Sequence, residues 1–131
     1  QKVCWVESDD LVVRALWSYI LEANNIYFKY NISEFEPTQF TKSDQDGFYS
    51  WHRDSGDDNR KLSAVLQLSD SSEYEGGELQ FFNGDKDPEE LPIKKQGGLI
   101  VFDSSDWHRV TPVKRGVRHS LVMWARGPSF Q

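Results

Sequence analysis

Along the front of the chain the apolar residues recur three and four apart: Leu11, Val12, Ala15, Leu16, Tyr19, Ile20 and Ala23. That is the period of an α-helix with one apolar stripe. The helix is predicted over Ser8 to Asn25, with Ser8 as N-cap and Asp9 and Asp10 at the positive end of the helix dipole. Asn24-Asn25 is its stop, and the stripe is expected to pack on a sheet. At Ile26 the period changes to two. Ile26, Phe28, Tyr30 and Ile32 alternate with Tyr27, Lys29 and Asn31, which predicts a half-buried strand broken by Pro37.

Short strand patterns fill the rest of the chain. They fall at Thr38 to Lys42, through Tyr49 to Asp54, at Lys61 to Ser69, after Gly76-Gly77 into Phe82, at Leu91 to Lys94, at Leu99 to Phe102 and at Val117 to Arg126. Polar or glycine-bearing turns separate them: Asp44 to Gly47, Ser55 to Asn59, Asp70 to Tyr74, Asn83 to Glu90 and Gln96 to Gly98. The pair Gly76-Gly77 suggests a tight bend or a close approach of backbone to something else. One helix followed by many short strands predicts a mainly β sandwich or barrel buttressed by the helix, a single domain over residues 1–131.

The last strand divides into two faces. Leu121, Met123 and Ala125 lie with His119 on the face that suits the helix; Arg118, Ser120, Val122 and Trp124 lie on the other. A charged residue on an inward face is costly without a partner, so Arg118 implies an anion inside the barrel.

Composition narrows the classes. A net charge of −6 over 131 residues argues against nucleic acid as a partner, since phosphates call for a basic stripe. The single Cys4 excludes an internal disulfide framework and a cysteine-rich zinc site, and fits a reducing, intracellular setting. No apolar run is long enough to span a membrane, and no segment reads as a secretory signal.

The chemistry rests on three histidines: His52, His108 and His119. His52 and Asp54 are two apart, so in a strand they share a face. A facial site of two histidines and one carboxylate then needs one more imidazole, and it leaves open positions, as in non-haem Fe(II) oxygenases. His108, at a turn after the apolar strand Leu99 to Phe102, is the candidate. His119 competes with it, but its parity sets it opposite Arg118.

Four segments in this order resemble the Fe(II)/2-oxoglutarate-dependent oxygenases, in particular the prolyl 4-hydroxylase-like group of compact bacterial and phage type. They are Tyr49-Ser50-Trp51-His52-Arg53-Asp54, Tyr74-Glu75-Gly76-Gly77-Glu78-Leu79-Gln80-Phe81, Gly97-Gly98-Leu99-Ile100-Val101-Phe102, and Trp107-His108 through Arg118-His119-Ser120. The resemblance runs from about Thr38 to Pro128. It implies a double-stranded β-helix, a jelly-roll or cupin-like barrel. It also implies that His52, Asp54 and His108 bind Fe(II) and that Arg118 pairs with the distal carboxylate of 2-oxoglutarate. Tyr49 would hydrogen-bond that carboxylate, which requires a twist or bulge between Tyr49 and His52. Ser120 and Trp124 would line the co-substrate pocket.

By the same resemblance the activity is O2-dependent hydroxylation coupled to conversion of 2-oxoglutarate to succinate and CO2, with ascorbate as an accessory. The presence of Asp54 separates the chain from the related halogenases, which lack that carboxylate. The expected substrate is peptidyl proline, with polar loops and the aromatics Tyr49, Trp51, Trp107 and Trp124 around the mouth. The expected setting is the cytoplasm of a bacterial or phage-infected host cell, without membrane or nucleic-acid partners. The alternatives are a free amino acid, another small molecule or a nucleobase as substrate, or a cupin-like metal-binding barrel without turnover.

Overall fold

The computed structural model describes residues 2–6, 10–44, 49–55, 59–82, 84, 89–90 and 96–128. Its strands are β1 (Lys2–Val6), β2 (Glu34–Phe35), β3 (Thr38–Ser43), β4 (Tyr49–His52), β5 (Arg60–Gln67), β6 (Tyr74–Gly76), β7 (Leu79–Phe81), β8 (Glu89–Glu90), β9 (Leu99–Asp103), β10 (His108–Val110), β11 (Val113–Gly116) and β12 (Arg118–Arg126). The helix α1 spans Leu11–Ala23. All strand pairs are antiparallel. A major sheet runs β1-β3-β12-β5-β9, with β2 also on β12; a minor sheet runs β4-β10-β7-β8; β11 pairs with β6.

Helix and major sheet enclose the core, each turning apolar side chains toward the other. Val13, Leu16 and Ile20 meet Leu62, Ala64 and Leu66 of β5 and Leu121, Met123 and Ala125 of β12. Fully burying such a side chain is worth roughly 1.5–3 kcal/mol. The β12 face assigned to the helix by parity does pack there.

The helix itself differs from its predicted form. Asp10 is the N-cap, its carboxylate accepting from the Val12 and Val13 amides (2.9 and 3.3 Å). Ser8 and Asp9 lie outside the described residues. The buried stripe is Val13, Leu16 and Ile20, whereas Leu11 (80% exposed), Val12 and Tyr19 face outward. Apolar residues sit on both sides of this helix, so spacing alone does not choose the face; the sheet does.

No strand forms between residues 26 and 32. A π-helical turn, Asn24–Phe28, continues α1 and ends at Lys29, which takes the left-handed conformation at φ 58°. The Asn24 side chain then clamps the outgoing chain, donating to the Tyr30 carbonyl (2.8 Å) and accepting its amide (2.9 Å). Phe28, Tyr30 and Ile32 still pack on the core, so the alternation is real but belongs to a helix exit held by a side chain.

β1, β2, β10 and β11 have no counterpart among the strands read from sequence, and β6 and β8 form in stretches read as turn or loop. Within the predicted loop at Asp70 to Tyr74, Ser71–Glu73 form a short 3-10 turn closed by an Asp70/Glu73 capping box. The turn at Asp44 to Gly47, the loops at Ser55 to Arg60 and Asn83 to Glu90, and the strand at Leu91 to Lys94 lie wholly or largely outside the described residues.

Candidate metal and co-substrate site

The second face of the major sheet turns toward the minor sheet. Between them lies a cavity of about 390 Å³ lined by His52, Asp54 and His108, by Arg118, Ser120, Val122 and Trp124, and by Gln39, Thr41, Val65, Leu79, Phe102 and Val110 among others. Apolar side chains share its walls with about as many polar and charged ones, which converge on one space as in a site for a polar small molecule.

His52 and His108 are directly opposite each other on β4 and β10, with ring centroids 4.2 Å apart. Each ring is oriented by its own backbone. His52 Nδ1 donates to the Ser50 carbonyl (2.6 Å) and His108 Nδ1 to the Asp106 carbonyl (2.8 Å). Both Nε2 atoms are thereby turned toward the cavity and Asp54, the orientation that suits metal-binding imidazoles. Asp54 completes the group: Oδ1 is 3.3 Å from His52 Nε2, and Oδ2 is 3.5 Å from His108 Nε2. One donor atom from each of the three lies within 4.8 Å of the others.

His52 and Asp54 converge, though not by strand alternation. β4 ends at His52, and Asp54 stands in a bend. Its amide and that of Ser55 both donate to the Ser104 carbonyl (2.8 and 3.0 Å), which turns the carboxylate back toward His52. Likewise His108 opens a strand, almost fully buried, instead of standing on a turn.

The electrostatics favour an ionised Asp54 and a neutral His108. Burial alone would raise the Asp54 pKa. Bonds from His52 and Ser63, the charge of His108 and the Trp124 N–H outweigh it and hold the pKa at about 2. Burial, the largest influence on His108, pushes that imidazole below its ordinary value. For His52 burial acts the same way, but Asp54 and the Ser50 carbonyl together raise it.

Arg118 is buried (7% exposed) in the same cavity. Burial lowers its pKa, while the Tyr74 phenol beside it acts the other way. That phenol also accepts from Gln67 (2.8 Å). Among the described residues no carboxylate forms an ion pair with Arg118. The two glycines allow a close approach of backbone, and Gly77 lies against Arg118. A Cβ on Gly76 would stand 2.2 Å from the Pro112 carbonyl, and one on Gly77 would stand 3.1 Å from the Arg118 side chain.

The remaining predicted site residues divide. Ser120 is buried on Arg118's side of β12. Trp124 lines the cavity but points its N–H at Asp54 Oδ2 (3.2 Å), under the guanidinium of Arg60 at 4.0 Å. Tyr49 has its backbone in β4, and its side chain lies outside the described residues. The bulge its expected role requires is present: His108 pairs with His52 and Val110 with Tyr49, so three steps along β4 match two along β10. His119 faces away, stacked on Phe40 at 5.6 Å.

The aromatics expected to form one groove are dispersed. Trp51 meets Phe82 edge-on at 5.9 Å and lies under Arg109, Trp107 lies under Arg53, and Trp124 is inside. Sequence reasoning missed Ser63, Ser104 and Tyr74. Only their neighbours in space give them meaning.

Comparison with known proteins bears on the same residues. The family model described as the 2OG-Fe(II) oxygenase superfamily matches residues 38–126. A PKHD-type hydroxylase of Synechococcus sp. (strain CC9311) is 32% identical over 122 residues, covering 90% of this chain and 52% of that protein. The PKHD-type hydroxylase YbiX of Escherichia coli O6:K15:H31 (strain 536 / UPEC) is 40% identical over 79 residues, covering 60% and 34%. The chain thus spans between about a third and a half of the length of these curated relatives. Among solved structures, a Pseudomonas putida prolyl-4-hydroxylase superposes with TM-score 0.77 at 29% identity, over 97% of this chain and 72% of that one. The viral collagen prolyl hydroxylase of Paramecium Bursaria Chlorella virus-1, as its 2OG complex, gives 0.73 at 20%, over 98% and 80%. The shared fold is the double-stranded β-helix.

Proposed function

The chain belongs to the 2OG-Fe(II) oxygenase superfamily, and from that premise we propose that it hydroxylates a prolyl residue in a peptide, using Fe(II), 2-oxoglutarate and O2. His52, Asp54 and His108 hold the iron, and Arg118 holds the distal carboxylate of 2-oxoglutarate. The observation that carries this reading is a single cavity lined both by a two-histidine, one-carboxylate cluster and by a buried guanidinium that has no carboxylate partner among the described residues. The donor set fits: two imidazoles whose Nε2 atoms face one ionised carboxylate, and no thiolate.

Bound iron supplies the one-electron and O2 chemistry that amino-acid side chains lack. The chain's own groups do the rest. The backbone carbonyls of Ser50 and Asp106 keep both imidazoles in the metal-binding tautomer. Arg118 offers a planar fork matched to a carboxylate, in a setting where burial strengthens the pairing. Val65, Val122, Leu79 and Phe102 add apolar wall to the cavity around these groups. The prolyl substrate is supported by the Pseudomonas putida prolyl-4-hydroxylase likeness and by exposed aromatics near the histidines, Trp107 and Phe82, since aromatic surfaces suit extended proline-rich segments. A reducing cytoplasmic setting would preserve Fe(II) and the exposed thiol of Cys4.

The test is incubation with Fe(II), 2-oxoglutarate and ascorbate, with succinate and substrate mass read together. Prolyl peptides, free amino acids and nucleobases form the panel. A gain of one oxygen on a prolyl peptide is expected. Oxygen gained on a free amino acid or base, with all peptides unchanged, overturns the substrate; no succinate with any of them overturns the activity.

A further inference from the structure

Asp54 is held from two directions by one turn. The Ser104 carbonyl takes the Asp54 and Ser55 amides, fixing the backbone. The Ser104 hydroxyl lies 2.9 Å from that of Ser63, which donates to Asp54 Oδ2 at 2.6 Å. Both serines are 0% exposed. The Ser63 proton is spent on the carboxylate, so Ser104 must be the donor to Ser63. The chain of bonds has one direction only.

Oδ2 also receives the Trp124 N–H at 3.2 Å, and Trp124 in turn lies under Arg60, which Glu36 grips with two bonds of 2.6 and 2.9 Å. Oδ2, which lies 3.5 Å from His108 Nε2, therefore has two protein donors of its own. Oδ1 has only the His52 ring near it among the described residues, 3.3 Å from Nε2.

We propose that Ser63 and Trp124, with Ser104 behind Ser63, are positioning residues that make Asp54 a one-oxygen ligand: they occupy Oδ2 and leave Oδ1 to the metal. The proposal rests on the metal-site reading above. Its chemical sense is a matter of coordination number. Two imidazoles and one carboxylate oxygen leave three of six positions for co-substrates, whereas a two-oxygen carboxylate would take one of them. Outer partners of this kind typically change metal affinity 10–100-fold when removed.

The experiment titrates Mn(II) into the full chain by calorimetry, and records the visible spectrum of the Co(II)-loaded protein, whose band intensities report coordination number. Ser63→Ala should weaken Mn(II) binding about 10- to 100-fold and change the Co(II) spectrum, while Ser63→Thr, which keeps the hydroxyl, restores both. Trp124→Phe keeps the ring under Arg60 and removes only the N–H donor. It should alter the Co(II) spectrum in the same sense, which preserves the test if Ser63→Ala folds poorly. Wild-type binding in both Ser63→Ala and Trp124→Phe, with unchanged Co(II) spectra, overturns the positioning role alone. Wild-type protein that binds no Mn(II), or binds it equally after His108→Ala, overturns the metal site itself.

Discussion

Gly77 sits against the side chain of Arg118. Its φ of +58° is a conformation costing an L-residue roughly 1–2 kcal/mol, and a Cβ there would press on the Arg118 side chain at 3.1 Å. Gly77→Ala should lower stability by about 1–3 kcal/mol and weaken 2-oxoglutarate binding; thermal melts and a 2-oxoglutarate titration of the Mn(II) protein read the two effects separately. Arg118→Ala removes the charge itself. Losing one partner of a desolvated charge pair costs roughly 2–5 kcal/mol, so the 2-oxoglutarate requirement should rise by tens to thousands of fold with Mn(II) affinity unchanged. An unchanged requirement would transfer the role to another cation.

At the scale of elements, α1 is defined by what it packs on. Leu16 and Ile20 are in the core, so truncating either to alanine should cost about 2–5 kcal/mol in urea unfolding. Leu11→Ala, on the exposed side, should change stability by less than about 0.5 kcal/mol. Equal losses would mean that the helix presents the other face. The segment after the helix is tied to β9 by a hydrogen bond from the Tyr30 phenol to Asp103. That bond, with burial and the charge of Asp103 behind it, raises the Tyr30 pKa from 10.0 to about 12. The folded state favours the neutral phenol, so this stabilisation is complete below the unfolded value and is lost as pH rises from 10.0 to about 12. Tyr30→Phe should flatten the fall in stability over that window, measured by melts along an alkaline series.

For the whole molecule, the site joins pieces that the chain keeps far apart. β4 and β10 bring the histidines face to face, and the turn after β9 anchors Asp54. A ligand bound only by the folded state adds stability by mass action, about 2.7 kcal/mol at one hundred times its Kd. Mn(II) should therefore raise the melting temperature, a chelator should reverse the rise, and His108→Ala should abolish it. A metal-induced shift that survives His108→Ala would locate binding elsewhere.

The sequence by itself determined a mainly β architecture with one helical buttress and the two faces of β12, and it singled out His52, Asp54, His108 and Arg118, which the fold brings to one cavity. Alternation along an extended strand is a local property, so Arg118 and Trp124 were assignable to one side before any partner was known. So was the need for a bulge between Tyr49 and His52. Tertiary structure alone decided the rest, because each point turned on atoms distant in sequence. The apolar residues of α1 lie on both its sides, and the major sheet selected Val13, Leu16 and Ile20. The alternation from Ile26 to Ile32 became a helix exit because Asn24 satisfied the backbone of Tyr30 that a neighbouring strand would otherwise have paired. Asp54 faces His52 through the carbonyl of Ser104, fifty residues away. Ser63 and Ser104 were not legible at all: a serine's role depends on which polar group burial sets beside it, and its own neighbours in sequence carry no trace of that.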